Sequence, residues 1–375
     1  MVQQVTIENF KSIESLTLEL GRVNVFIGEN GSGKSNILEA IAMGSAAAEN
    51  KLSNEFLASR GIRVTEPQAM RSGFEQKSLI KDIIIQFQFK GEREYKHLIY
   101  NNNGAFDSWR ERNLERIERD FQKFISESRR DHMADIEAKV IAEARSKEIV
   151  TGLNVEATNF LIYSPENYFL RRFEDESQIA PLGIRGEGLF KLLSVIYEEK
   201  PEQFQKIREH LEVIDWFEGF EIPDDLRFTE RRIRIKDRFI EDGLSYFDQR
   251  SSNEGFLYLL FYFSLFVSDY TPKFFAIDNI DNAMNPKLAS QLVKQLSHLA
   301  KEHDKQVIMT THNPAVLDGL DLKDEEQRLF VISRNKLGHT KALRITHKPT
   351  PEGLDPVRLS EQFLRGYIGG LPKNF

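Results

Sequence analysis

The chain of 375 residues contains no cysteine. Disulfides, thiolate zinc sites and cysteine nucleophiles are therefore excluded. Basic charge is not in excess either: 51 Lys and Arg stand against 58 Asp and Glu, a formal charge of −7. That balance argues against a globally basic nucleic-acid coat and leaves only local patches for such a role. Long apolar runs are also missing. The most apolar stretch, Gly255 to Val267, is too short to span a bilayer and is interrupted by Ser264, so a helix buried in protein is expected there. Met1 to Glu8 has neither a basic start nor a long apolar segment, and no signal peptide is expected. Together these features predict a cytoplasmic protein with no membrane partner.

Against this background one motif stands out. Gly28, Glu29, Asn30, Gly31, Ser32, Gly33, Lys34 and Ser35 spell GENGSGKS, a full match to G-x-x-x-x-G-K-[ST]. Val23–Ile27 reads as a buried strand entering this loop, and Asn36–Met43 as a helix leaving it. In that setting the glycines let the backbone curl and turn its N–H groups inward, with the helix N-terminus behind them. The reading is a nucleoside triphosphate site: Lys34 at the β- and γ-phosphates, Ser35 on Mg²⁺.

A second half of such a site lies far along the chain. Lys273–Asp278 is an apolar strand ending in an acid, the Walker B form, with Asp278 placed to hold Mg²⁺ opposite Ser35. A helix from Pro286 to Lys301 follows, then a strand Gln306–Thr311 that delivers His312, the candidate γ-phosphate sensor, ahead of Asn313-Pro314. The other seven histidines lack metal-ligand spacing.

Further strands are expected at Val5–Phe10, Leu16–Leu20, Phe160–Tyr163, Arg328–Ile332 and Lys341–Ile345, and a hairpin from Ile83–Phe89 and Tyr95–Tyr100. Lys51 to Gly73 reads as mixed and loop-like, and helices are expected at Leu189–Tyr197 and Pro201–Leu211. Trp109 through Lys147 reads as a charged helical arm, solvated and stabilised by i,i+4 pairs, or else a lever or dimerisation arm. Arg231–Phe239 alternates, which puts Arg232, Arg234, Lys236 and Arg238 on one strand face and Ile233, Ile235 and Phe239 on the other. The basic face is either the wet side of an antiparallel sheet or a nucleic-acid contact.

The combination resembles the ABC-type ATPases of the SMC/RecF/OLD (overcoming lysogenization defect) group, from Glu8-Asn9-Phe10-Lys11-Ser12-Ile13 to Thr311-His312-Asn313-Pro314. The resemblance implies an α/β fold: a P-loop NTPase head of ABC type with an antiparallel β subdomain and the charged helical arm inserted. Its expected divisions are residues 1–104, 105–150, 151–347 and 348–375. It implies ATP and Mg²⁺ as cofactors, with Asn36 adjoining the phosphate loop. It also makes Ser251-Ser252-Asn253-Glu254-Gly255 the counterpart of the signature segment, so that Ser252, Asn253, Glu254 and Gly255 of one subunit cap ATP held by another. An ATP-dependent homodimer or higher oligomer is thereby implied.

One position departs from the group. The residue after the Walker B aspartate is usually a glutamate that activates water, and here it is Asn279. An amide cannot act as a general base near neutral pH, although it can orient a water. Slow hydrolysis is expected, with Asp281 or Glu254 as candidate substitutes. Many OLD proteins carry a TOPRIM nuclease after the ATPase; about thirty residues follow the last expected strand here, too few for a domain. An effector in another chain is expected, with the apolar tail (Phe363, Leu364, Tyr367, Ile368, Leu371, Phe375) either docking it or packing back. Two functions stay open: an antiphage sensor controlling a separate nuclease or toxin, and a DNA-maintenance clamp of RecF or SMC type. A transporter motor does not fit the signature.

Overall fold

The computed structural model describes residues 1–91, 94–104, 107–113, 116, 119, 159–173, 180–223, 231–241, 246–349 and 357–371. Most of the expected arm, the tip of the Ile83–Tyr100 hairpin, and Phe375 lie outside them. The chain divides into two compact units, each assembled from separated stretches: Met1–Leu20, Asn30–Phe160 and Ile332–Ala342 in the first; Gly21–Glu29, Leu161–Val331 and Leu343–Phe375 in the second.

The chain opens with three strands, β1 (Val2–Phe10), β2 (Ile13–Glu19) and β3 (Val23–Ile27), followed by helix α1 (Lys34–Ala48). Short helices α2 (Asn54–Ser59) and α3 (Pro67–Met70) come before β4 (Ile83–Phe89), β5 (Glu94–Tyr100) and β6 (Arg110–Glu111). In the first unit an antiparallel sheet runs β2-β1-β4-β5-β6. Alternation builds it: Val5, Ile7, Ile83, Ile85 and Phe87 are buried, and the residues between them less so. The alanine-rich α1 packs on β1, β4 and β5. At Gly44 an added Cβ would lie 2.5 Å from Ile85 and 2.8 Å from Phe87, so only glycine permits this approach. Arg110–Glu111 pairs with Ile99–Tyr100. The expectation of helix from Trp109 is corrected at its start, because these residues complete a sheet edge.

The second unit holds β3 together with β7 (Ile162–Tyr163), helices α4 (Asn167–Arg171), α5 (Leu189–Glu199) and α6 (Pro201–Leu211), and strands β8 (Phe217–Glu221), β9 (Arg234–Asp237) and β10 (Tyr246–Phe247). Helix α7 (Glu254–Val267), β11 (Phe274–Ile277), α8 (Pro286–Glu302), β12 (Gln306–Thr311), β13 (Gln327–Arg334), β14 (Thr340–Ile345) and α9 (Leu359–Leu364) complete the order. The principal sheet is ordered β14-β13-β3-β12-β11-β7, and β13, β3, β12, β11 and β7 are mutually parallel. Such strands are buried on both faces: every residue of β3, β11 and β12 is buried, and β11 is apolar throughout. Helix α7 is buried on every side from Phe256 to Val267. It is the apolar run seen in the sequence, and Phe261 and Phe266 meet Tyr163 and Phe275 edge to face.

A small antiparallel sheet, β10-β9-β8, carries the basic strand. Ile233 and Ile235 are fully buried as expected. Phe239 is not: it is 76% exposed, because β9 ends at Asp237 and a turn follows. On the other face, Arg232 pairs with Asp248 (3.8 Å), Arg234 with Glu221 (3.5 Å) and Lys236 with Glu218 (2.7 Å), while Arg238 donates to the Phe217 carbonyl (2.6 Å).

Candidate phosphate-binding and nucleotide site

Sheet register gathers the site residues of the second unit at one edge. Ile27 pairs with Thr311, Met309 with Ile277, and Ile277 with Tyr163. Gly28, Asp278 and His312 therefore leave neighbouring parallel strands at their C-terminal ends, the place where open α/β sheets bind ligands.

Two threonines organise this edge. Thr310, wholly buried, donates its hydroxyl to the Asp278 carboxylate and accepts the Asn279 N–H at 2.9 Å. Thr311 donates to Asp281 at 2.6 Å and accepts the Asn313 N–H at 2.9 Å. The Asp278 N–H is bound by the Tyr163 carbonyl of β7 (2.8 Å). Asn279 adopts φ 57°, a left-handed conformation that asparagine takes more readily than glutamate. His312 is exposed at the tip of β12. Of the two acids considered as substitutes for the missing glutamate, Asp281 lies on this edge. Glu254 opens α7 and accepts from Asn167 (2.7 Å).

The rest of the loop belongs to the first unit. Gly31 and Gly33 have φ of 75° and 107°, and Gly33 caps α1. A Cβ at Gly33 would stand 2.1 Å from the Thr340 hydroxyl, so the glycine is required twice over, by conformation and by space. A hydrogen-bond relay backs the loop: Asn36 donates to Ser12 (2.6 Å), Ser12 meets Thr340 (2.7 Å), and Thr340 donates to the Ser32 carbonyl (3.1 Å). Lys34 is only 6% exposed. The Ser32 hydroxyl is buried with no hydrogen-bond partner among the described residues, a donor that a phosphate oxygen would satisfy. Deeper in the same unit, Glu39 is buried on α1 between Lys11 and Arg63. The Lys11 pKa is lowered by its burial, against the opposing pull of Glu39.

The signature candidate forms the mouth of α7. Asn253 caps the helix by accepting the Phe256 N–H at 2.9 Å. Ser251, Asn253 and Glu254 are exposed and Gly255 is partly so, whereas Ser252 is buried and turns its hydroxyl to the Asn253 carbonyl. Thr310, Thr311, Thr340 and Ser12 were not legible as site residues. Ser12 and Thr311 stood only as members of the segments carrying the resemblance, and a hydroxyl residue at an expected strand end or turn occurs for many unrelated reasons.

Residues 23–318 match the family described as "AAA domain, putative AbiEii toxin, Type IV TA system". The chain belongs to this family. The family is described as that of an AAA domain, with the P-loop fold that this entails. A 55-residue stretch is 40% identical to the DNA replication and repair protein RecF of Listeria welshimeri serovar 6b, covering 14% of this chain and 15% of that protein. Another, of 67 residues, is 40% identical to the uncharacterized protein MJECL10 of Methanocaldococcus jannaschii, covering 16% of this chain and 31% of that one. The chain thus matches only small parts of these relatives. Across 92% of its own length it is similar in fold to an SMC head crystallised with the C-winged helix domain of ScpA, with 98% of that chain covered, TM-score 0.52 and 16% identity.

Proposed function

We propose that this AAA-family chain binds ATP·Mg²⁺ and hydrolyses it slowly. In this reading two copies pair over bound ATP, and the paired state regulates a separately encoded effector, a nuclease or toxin, in antiphage defence. The loop 28–35 cradles the triphosphate, Lys34 meets the β- and γ-phosphates, and Ser35 and Asp278 hold Mg²⁺. The oxygen donors suit that hard cation, whose charge would offset the charge on the phosphates. Thr310 fixes the Asp278 carboxylate in one orientation, and His312 reads the γ-phosphate. Ser252 to Gly255 of one copy face the nucleotide of the other.

The observation that carries slow turnover is Asn279. Its amide cannot take a proton from water, and its left-handed backbone is one that a glutamate would enter at a cost of about 1 kcal/mol. ATP then acts as a clamp more than as fuel. The test is steady-state turnover of the purified chain, expected below about one per second. Asn279→Glu is expected to raise it at least about tenfold, and a parent rate of several per second would count against the reading. The toxin–antitoxin wording of the family description supports a defence role.

A second reading, a DNA clamp of RecF type, is favoured by the RecF-like stretch. Its sequence support, the basic face of β9, is weakened by the acid partners of Arg232, Arg234 and Lys236. Salt-sensitive duplex binding lost on reversing those charges would favour it.

A further inference from the structure

Helix α4 follows β7 by three residues and ends in Arg171. The Arg171 guanidinium donates to two consecutive carbonyls, Gln249 (3.3 Å) and Arg250 (2.7 Å), and through Nε to the Asn167 side chain (2.8 Å). Asn167 in turn donates to Glu254 at 2.7 Å. The gripped segment is the turn that leads into Ser252 and α7. Inside it, Asp248 accepts from the Arg250 and Ser251 N–H groups, and its carbonyl takes the N–H groups of Ser251 and Ser252. Gln249 is buried and bonds both the Ile233 N–H and the Arg231 carbonyl. At its other end, α4 is tied to the catalytic edge, because Tyr163, just before it, binds the Asp278 N–H.

We propose that Arg171 is the positioning residue that holds the 248–255 turn in the form able to cap a second copy's nucleotide. It links that turn to the strand bearing Asp278. The inference rests on the proposed reading that Ser252–Gly255 meets ATP bound by another copy. Arginine is required rather than lysine because Nε and the terminal nitrogen leave the planar fork at separate points in fixed directions, holding Asn167 and the two carbonyls in one geometry that a rotating, point-like ammonium does not fix. Loss of the fork loosens the turn while leaving the phosphate loop untouched. The effect therefore falls on pairing and not on nucleotide capture.

The test uses the full chain as parent, Arg171→Ala, Arg171→Lys and Ser252→Arg, with ATP·Mg²⁺ as ligand. Sedimentation measures pairing, and a fluorescent ATP analogue measures capture at protein concentrations too low for pairing. For both Arg171 variants the dissociation constant of the pair is expected to rise at least about tenfold, with lone-chain affinity within about twofold of the parent. The turnover rate falls at low protein concentration with KM held, and recovers as protein is raised. If Ser252→Arg abolishes pairing and the Arg171 variants pair like the parent, the inference is wrong and the reading beneath it stands. If Ser252→Arg also pairs normally, the reading fails and takes the inference with it. Parallel loss of capture and pairing, or full pairing in Arg171→Lys, also overturns it. Should Arg171→Ala not fold, Arg171→Lys decides.

Discussion

Single side chains carry most of the chemistry. Gly33 is the least replaceable of them, since its φ of 107° and the 2.1 Å approach of Thr340 act together. Gly33→Ala is expected to reduce ATP affinity at least about a hundredfold in a binding titration while the fold survives. Lys34→Ala is expected to do the same through lost charge rather than lost shape. His97 supplies a different kind of test. It lies wholly within the β4–β5 sheet beside Phe87, and burial pushes its pKa down to about 4. The unfolded chain therefore binds a proton between about pH 6.5 and 4 that the folded chain refuses, so stability falls as pH falls through that window. The loss is about 3 kcal/mol, and denaturant melts from pH 7 to 4 should show it in the parent and not in His97→Phe. The 28–35 loop pattern and the acid ending the apolar strand at Asp278 were visible in the sequence because each is a local pattern of neighbouring residues. Thr310 and Thr340 were not, since their role comes from what lies beside them and not from their neighbours in sequence.

At the scale of elements, α7 is the keystone of the second unit. Truncating Phe261, which packs against Tyr163, removes a wholly buried ring and is expected to cost about 3–5 kcal/mol in Phe261→Ala, read by thermal or denaturant melts. The loop from α7 to β11 depends on Lys305, whose buried ammonium donates to the carbonyls of Ser268, Thr271 and Pro272 and to the Thr271 hydroxyl. Lys305→Met strands those acceptors and is expected to cost about 2–4 kcal/mol in the same melts. Most elements were legible. β3 and β12 match their expected bounds, and α7 declared itself by an apolar run unbroken except by Ser264. The failures share a cause. Trp109 onward reads as helix from composition, yet Arg110–Glu111 pairs with β5 because a sheet edge was available. Phe239 fits the alternation of β9, but the strand ends two residues earlier, a fact that periodicity does not encode. The basic stripe was visible in sequence, whereas Glu218, Glu221 and Asp248, which balance it, come from other parts of the chain.

For the molecule as a whole, the proposed pairing is the property to test. With ATP and Mg²⁺ the mass in solution is expected to double, and Lys34→Ala should remain single under the same conditions. The apolar tail divides its loyalties: Phe363 is buried in the core and Ile368 packs against it, while Leu364, Tyr367 and Leu371 are 63%, 67% and 38% exposed. Leu364→Ser with Tyr367→Ser is expected to leave melting within about 1 kcal/mol of the parent, and loss of an effector from co-purified complexes would assign those residues to docking. The threading of the chain has its own consequence. It passes from one unit to the other after Leu20, Glu29, Phe160, Val331 and Ala342, and the passage after Glu29 falls inside the GENGSGKS loop. No single cut yields either half as a continuous fragment, so a nicked protein should keep its pieces together under native conditions and come apart only when unfolded.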